Sequence, residues 1–157
     1  MHFITPDIIN QINGSDSVPE SVEELWNSRI EKLEKHYDRI KDDLPKNVVK
    51  FIQNYDLTNR NVFCKSVSPL TDEHMFVVGN PYDQEILYIG YEFYGTPIFE
   101  LVYGDGFSDK LPCLWLYDEF HWKKTFYEHH VIFSDGYSYV IPFTAFYLRK
   151  SSWPIDE

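Results

Sequence analysis

The residues best able to do chemistry cluster in one stretch of the second half of the sequence. Asp118, Glu119 and His121 come first, and His130 and Asp135 follow within a few residues. Imidazole and carboxylate groups are common zinc ligands and common catalytic acids and bases. These five residues are therefore the candidate catalytic set, and one hypothesis is a metal-dependent or carboxylate-based hydrolase that uses them.

The spacing of these residues argues against a dedicated metal site. No HExxH or His-x-His motif is present. His129 and His130 are adjacent, so on a strand they point to opposite faces and cannot both serve. One of them could still join His121 or Glu119 across a hairpin. The favoured interpretation is a strand with one face in water, closed by the Asp135-Gly136 turn, and we predict no metal and no cofactor.

Other catalytic signatures are missing. The sequence has no GxSxG elbow, and Gly104-Asp105-Gly106 lacks the GK[ST] and GxGxxG spacings that bind phosphate. Cys64 and Cys113 stand in apolar runs without a CxxC partner, which predicts buried thiols in a reducing compartment. The sequence therefore leans away from an enzyme.

Aromatic residues are unusually frequent, at 18% of the chain, with twelve Tyr and twelve Phe. Tyrosine suits partly solvated contact surfaces because its apolar ring carries a polar hydroxyl. Core packing accounts for most of these side chains, and a protein interface is expected for the rest. The interface candidates are Tyr88, Tyr91, Tyr94, Tyr103 and Trp122.

The formal net charge is −11, with 25 acidic and 14 basic residues. The sequence has no run of Lys or Arg that could follow phosphates, which disfavours nucleic acid and anionic membranes as partners. A protein partner, if charged, would be basic. No apolar run approaches a membrane span, and the first residues lack a signal-peptide pattern, so a cytoplasmic location is expected.

The first third of the chain has the period of helices. One apolar stripe recurs every three or four residues and comprises Val22, Trp26, Ile30, Leu33, Tyr37, Ile40 and Leu44. Ser17 with Glu20, and Ser21 with Glu24, are two alternative capping pairs for its start. Pro45 ends this helix and opens a shorter second one. The helical part is assigned to residues 17–56.

The remainder has the period and composition of strands. Candidate strands are residues 62–67, 75–78, 84–94, 97–103, 114–117, 125–133 and 137–148. Short links with turn residues favour antiparallel pairing, and Pro142 suggests an edge or a bulge. The fold class predicted is α+β, with two N-terminal helices packed on a mostly antiparallel sheet of six to seven strands. Residues 1–157 form one domain, with the sheet part at 60–148 and a tail at 151–157.

Scattered motifs resemble those of small, uncharacterised bacterial proteins that carry a domain of unknown function. They are Phe3-Ile4-Thr5, Trp26, Tyr37, Leu44-Pro45, Trp115 to Glu119 and His130 to Gly136. Similar proteins tend to have a Leu-His-Asp run where this chain has Leu57-Thr58-Asn59. The resemblance implies an α+β fold and a bacterial cytosolic origin, and it implies no activity.

These observations rank three hypotheses for function. The first is a non-enzymatic protein-binding module, with a bacterial toxin-neutralising (immunity-type) role as its concrete form and a homo-oligomer as a further option. The second is the hydrolase that uses Asp118, Glu119, His121 and His130. The third is a protein that binds a small ligand in a cleft between helices and sheet.

Overall fold

The computed structural model describes residues 3–13, 18–66, 75–80, 85–102 and 113–152. The helices are α1 (Pro6–Asn13), α2 (Glu20–Ile40) and α3 (Lys46–Asn54). The strands are β1 (Asn61–Ser66), β2 (Met75–Asn80), β3 (Glu85–Phe93), β4 (Ile98–Leu101), β5 (Cys113–Trp122), β6 (Tyr127–Phe133) and β7 (Tyr137–Ser152). No helix in these ranges is long and apolar enough to cross a membrane.

The seven strands form one antiparallel sheet in the order β3-β2-β1-β5-β6-β7-β4. A further pairing between β3 and β7 closes six of these strands into a barrel. The α+β class and the antiparallel sheet are thus confirmed. The expected open sheet packed by two helices is wrong, because the sheet curls until its two ends meet.

Closure depends on a change of partner along β7. Residues 137–140 of β7 pair with β4, and residues 143–152 pair with β3. Pro142 lies between these segments, next to a register shift at Glu92 and Phe93. The Pro142 carbonyl accepts a hydrogen bond from the Tyr94 amide at 2.9 Å. The bulge expected near this proline is therefore present, and it lies where β7 passes from one partner to the other.

The barrel interior is filled by side chains, most of them aromatic. Its largest fully buried members include Phe76, Trp115, Phe120, Phe133, Phe143 and Phe146. Helix α3 adds Val48 and Phe51 to this core, and the Phe51 ring meets those of Phe120 and Phe146 edge-on. Leu87, Ile89 and Tyr91 alternate along β3 and therefore share this inner face.

A second apolar cluster lies outside the barrel, between β5 and β6 and the helices α1 and α2. It contains Ile4, Ile8, Ile9, Leu33, Leu116, Tyr117 and Ile132. All seven residues of the predicted helical stripe pack in one or both clusters. The helices therefore cover the outer face of two strands, while the inner face of the sheet is covered by the barrel's own opposite wall.

Several predicted boundaries differ from the structure. Helix α1 lies before the predicted helical part at 17–56, so three helices are present rather than two, and residues 151–152, predicted as tail, belong to β7. Helix α2 begins after Pro19 without a side-chain cap, so Ser21 does not cap it, and Ser17 lies outside the described residues. Strand β5 runs to Trp122 rather than to residue 117. Cys64 is exposed and Cys113 half-buried, so the expected burial of both thiols is wrong.

Candidate functional site

A cluster of two histidines and two carboxylates lies on the outer face of β5 and β6. In the antiparallel register Glu119 faces His130, and His121 faces Glu128. Alternate residues of a strand point to the same face, so all four side chains meet on one side of the strand pair. We call these four residues the outer cluster.

Hydrogen bonds join the outer cluster along each strand. His121 Nε2 lies 3.1 Å from Glu119 Oε1, and His130 Nε2 lies 3.0 Å from Glu128 Oε1. The Tyr117 hydroxyl donates to Glu119 Oε2 at 2.7 Å. Glu119, His121 and His130 are 0%, 6% and 5% exposed, so these bonds form almost entirely out of solvent.

The helical layer covers this cluster. The Phe3 ring stacks on the His121 ring with centroids 6.0 Å apart, and the His36 ring of α2 lies 5.0 Å from that of His121. His36 Nε2 also donates to the Phe120 carbonyl at 3.2 Å. Burial lowers the pKa of His36, which outweighs the opposing effect of that backbone bond. Helix α2 therefore contributes a neutral imidazole to the layer that covers the cluster.

Burial also keeps His130 neutral. Loss of solvation lowers the pKa of His130 to about 4, although its hydrogen bond with Glu128 acts in the opposite direction. For Glu128 burial raises the pKa, but the bond with His130 and the charge of Lys123 together hold it below its usual value. At neutral pH this pair is a neutral imidazole donating to a carboxylate.

Three members of the outer cluster converge enough to share an ion. One ligand atom from each of Glu119, His121 and His130 lies within 4.8 Å of the other two. They offer one carboxylate oxygen and two imidazole nitrogens, a donor set that proteins use for zinc and related metals.

Asp118 does not belong to this cluster, because it points to the opposite face of β5. Its carboxylate lies 2.8 Å from His129 Nε2 and accepts a bond from Trp115 Nε1 at 3.1 Å. The Tyr91 hydroxyl lies 2.5 Å from His129 Nδ1. With Asp118 as the acceptor at Nε2, the tautomer consistent with both contacts has Nδ1 accepting from Tyr91.

This inner chain of Tyr91, His129 and Asp118 has the order of a proton relay, but Tyr91 and His129 are buried. His129 is 0% exposed, and its ring stacks on that of Phe120 with centroids 3.9 Å apart. Burial raises the pKa of Tyr91 well above its usual value, so its hydroxyl stays protonated. The chain therefore satisfies polar groups inside the barrel.

Asp135 lies apart from both groups, in the turn between β6 and β7. It forms an ion pair with Lys65 and accepts the Tyr137 amide through Oδ1 at 3.1 Å. The predicted hairpin is present, with Gly136 at φ 91°. Of the five predicted site residues, the structure thus brings together Glu119, His121 and His130. It adds Glu128, whose position two residues before His130 was the available signal.

The five interface candidates occupy different environments. Tyr94 is 48% exposed and stacks on Phe126, whereas Tyr91 is 4% exposed and lies inside the barrel, away from any surface a partner could touch. Tyr88 is half-buried with the Arg149 guanidinium 4.5 Å above its ring. Trp122 is half-buried against the barrel core. Tyr103 lies outside the described residues.

Strand β4 carries an apolar surface that the sequence reasoning did not single out. Ile98, Phe99 and Leu101 are 61%, 62% and 43% exposed, and Glu100 between them is also exposed. Among the described residues β4 pairs only with β7, which leaves its other edge without a ladder. We call residues 98–101 the β4 edge. Its sequence signal is an apolar run from residue 98 to residue 102 that only Glu100 interrupts.

A cavity of about 440 Å³ lies between the helices and the sheet. Its described lining residues are Ile9, Ile12, Val18, Glu23, Trp26, Thr58, Asn59 and Leu116. Mostly apolar walls with a few polar groups are typical of small-ligand sites of this volume.

Comparison with known proteins adds no family to these observations. No protein-family model matches the sequence, and no curated protein matches it. The resemblance to small bacterial proteins stays a prediction, and the evidence about function lies in the outer cluster, the β4 edge and the cavity.

Proposed function

We propose that this protein is a non-enzymatic protein-binding module that captures a partner segment at the β4 edge. The observation that carries the proposal is the exposure of Ile98 and Phe99, which point to opposite faces of a strand with one unpaired edge in the described structure. Extended peptides bind such edges by adding a strand, with main-chain hydrogen bonds for affinity and side-chain contacts for selectivity.

The charge around this edge indicates the chemistry of the partner. Glu100 is exposed within it, and β4 itself carries no Lys or Arg. With a chain charge of −11, a basic, partly apolar segment is the complementary occupant. Neutralisation of a basic toxin in a bacterium is the concrete form of this proposal.

The test is stoichiometric capture of an identified protein and its loss on disruption of the edge. A tagged copy expressed in the source cells is purified, the co-purifying protein is identified, and the purified pair is titrated by calorimetry. Ile98→Lys with Phe99→Lys should weaken binding by more than about tenfold, because two apolar contacts are lost and the added charges repel a basic partner.

Leu25→Lys is the matched control, since Leu25 is 40% exposed but lies on α2, far along the chain from the β4 edge. It should leave affinity within about twofold. Recovery of no stoichiometric partner, or equal affinity of the double variant and the wild type, would show that the β4 edge is not the binding surface. A concentration-dependent dimer that the double variant abolishes would assign the edge to a second copy of the chain.

A second candidate function has its own observation, the cavity between α1, α2 and the sheet. Trp26 and Glu23 on its wall would contact an apolar ligand that carries one polar group. A metabolite that occupies it should raise the unfolding temperature and change Trp26 fluorescence. A Trp26→Phe variant that keeps the stabilisation but loses the fluorescence change supports this site. Absence of stabilisation by any compound in a broad metabolite panel counts against it.

A further inference from the structure

We propose that Glu119, His121 and His130 bind one divalent transition-metal ion and that this ion is structural. The three side chains supply two imidazole nitrogens and one carboxylate oxygen from adjacent central strands. Such a nitrogen-rich set suits Zn²⁺ and its first-row neighbours, whereas Ca²⁺ and Mg²⁺ prefer oxygen ligands. The proposal is independent of the β4 edge, with which it shares no residue.

The ligand positions are fixed by strand register. Glu119 and His130 are direct cross-strand partners, and His121 lies two residues along β5 on the same face. Metal–ligand bonds of about 2.0–2.2 Å place ligand atoms about 3–4 Å apart around one ion. The ligand atoms here lie within 4.8 Å of one another, so small rotations of the imidazole rings complete the set.

Neighbouring groups already orient the ligands. Glu128 accepts from His130 Nε2 at 3.0 Å, which fixes the proton there and leaves the Nδ1 lone pair for the ion. Tyr117 donates to Glu119 Oε2, and Glu119 Oε1 lies 3.1 Å from His121 Nε2, so binding of the ion would replace this hydrogen bond by bonds from both groups to the metal. A carboxylate behind a metal-binding histidine is a recurrent outer-shell arrangement that fixes the tautomer and the ring orientation.

Burial argues that the ion would be structural. The three ligands are at most 6% exposed, and Phe3 and His36 lie over the His121 ring. A catalytic ion needs a coordination position open to substrate, and burial of all three ligands argues against such access. The ion would instead cross-link β5 and β6 beneath Phe3 and His36.

The experiment begins with wild-type protein freed of metal by a chelator. Zn²⁺ is added during calorimetry, elemental analysis gives the bound stoichiometry, and thermal unfolding is recorded with and without the ion. We expect one Zn²⁺ per chain and an unfolding temperature several degrees higher, because the ion binds the folded state preferentially.

Two variants and one matched control locate the site. His121→Gln and His130→Gln should each weaken Zn²⁺ binding by more than about tenfold. His36→Gln removes a neighbouring imidazole outside the ligand set but keeps an amide that can donate to the Phe120 carbonyl. It should bind Zn²⁺ within about threefold of wild type.

A measurement on the wild type decides the case if a variant does not fold. Imidazole resonances of His121 and His130, assigned by NMR, should shift with one equivalent of Zn²⁺, while those of His129 inside the barrel should not. Absence of stoichiometric binding, or shifts confined to other histidines, would overturn the proposal. Unchanged affinity in folded His121→Gln and His130→Gln would do the same.

Discussion

The hydrogen bond between Tyr91 and His129 lies where water cannot replace it. His129 is fully buried, its Nε2 is engaged by Asp118, and its Nδ1 accepts from the Tyr91 hydroxyl. If a buried acceptor loses its donor, its desolvation penalty is no longer offset by a hydrogen bond, and the folded state is destabilised. The inner chain is therefore a sensitive point for stability at the scale of single atoms.

Tyr91→Phe should lower the free energy of unfolding by about 1–3 kcal/mol, because it removes that one hydroxyl and little volume. Tyr88→Phe is the control: its ring is half-buried beside Arg149, and its loss of a hydroxyl should cost less than about 0.5 kcal/mol. Urea unfolding followed by circular dichroism measures both. Equal effects of the two substitutions would contradict a structural role for the Tyr91–His129 bond.

Part of the outer cluster was predictable from residue types alone. The alternation rule separates His129 from His130 and allows one of them to join Glu119 and His121 across a hairpin, as the register then brings about. The position of Asp118 was not predictable, since β5 was expected to end at residue 117. Burial of the cluster could not be inferred either, because His36 and Phe3 come from segments far away in the sequence.

At the scale of elements, β5 has an edge that a helix completes. Strand β1 pairs with β5 at Cys113 and Leu114, and Trp115 bonds the backbone of Asn59 and Arg60. Beyond Trp115 no strand of the described structure pairs with this edge of β5. Two adjacent residues of α2 serve it instead: the Tyr37 hydroxyl accepts the Phe120 amide at 3.1 Å, and His36 bonds its carbonyl. Side chains of α2 thus take the place of a strand for one residue of the ladder.

Tyr37→Phe should leave the Phe120 amide without its acceptor and cost about 1–3 kcal/mol of stability. Its local signature is faster amide hydrogen exchange at Phe120. Tyr55→Phe on the exit from α3 is a matched control, because Tyr55 bonds no strand backbone in the described structure and should leave that exchange rate unchanged. Unaltered protection of Phe120 in Tyr37→Phe would show that the edge is closed by other means.

The elements differ in how well local sequence predicts them. The stripe of α2 was predicted because its apolar residues recur at helical spacing, and six of the seven lie on α2 and pack in the two clusters. Leu44 packs in the barrel core but lies beyond the end of α2 at Ile40, so the helix ends earlier than the predicted stop at Pro45. Strand β5 was cut short because Asp118, Glu119 and His121 interrupt its apolar pattern. Those polar residues are tolerated because Glu119 bonds Tyr117 and His121 on the same strand, while Asp118 bonds Trp115 of β5 and His129 of β6. The contact with His129 depends on strand register, which the sequence of β5 alone does not contain.

At the scale of the whole molecule, burial of tyrosine hydroxyls makes the fold sensitive to alkali. Burial is the main cause that raises the pKa of Tyr37, Tyr91, Tyr117 and Tyr139. The folded state therefore retains protons that the unfolded chain releases near pH 10. Because the unfolded state then binds fewer protons, stability falls as pH rises above about 10.

The free energy of unfolding should fall above pH 10 by up to about 1.4 kcal/mol per pH unit for each buried tyrosine. Urea unfolding at pH 8 and at successive values above 10 measures this slope, and tyrosinate absorbance follows ionisation. In denaturant all twelve tyrosines should titrate together near pH 10, whereas in the folded protein at least these four should lag. Titration of all twelve near pH 10 with the fold intact would refute the prediction.

Closure of the barrel is the largest feature that the sequence did not reveal. Alternation along β3 places apolar side chains on both of its faces, which indicates that both are covered but does not identify the cover. The actual cover is β7 and the opposite wall, reached through a pairing of Glu85 with Ser152. Pairings between segments this far apart depend on curvature accumulated over the whole sheet, which no single strand encodes.

The change of partner along β7 also orders the events of folding. The segment 143–152 that seals the barrel lies after the other described strands, so it emerges last from the ribosome. Until this segment pairs with β3, the barrel is open and the inner face of β3, with Leu87, Ile89 and Tyr91, is not fully covered. Because closure requires this long-range contact, we expect folding to be slow. During that time the incomplete chain exposes apolar surface and is prone to aggregate. The topology thus sets an interval during synthesis in which these apolar residues are exposed to aggregation.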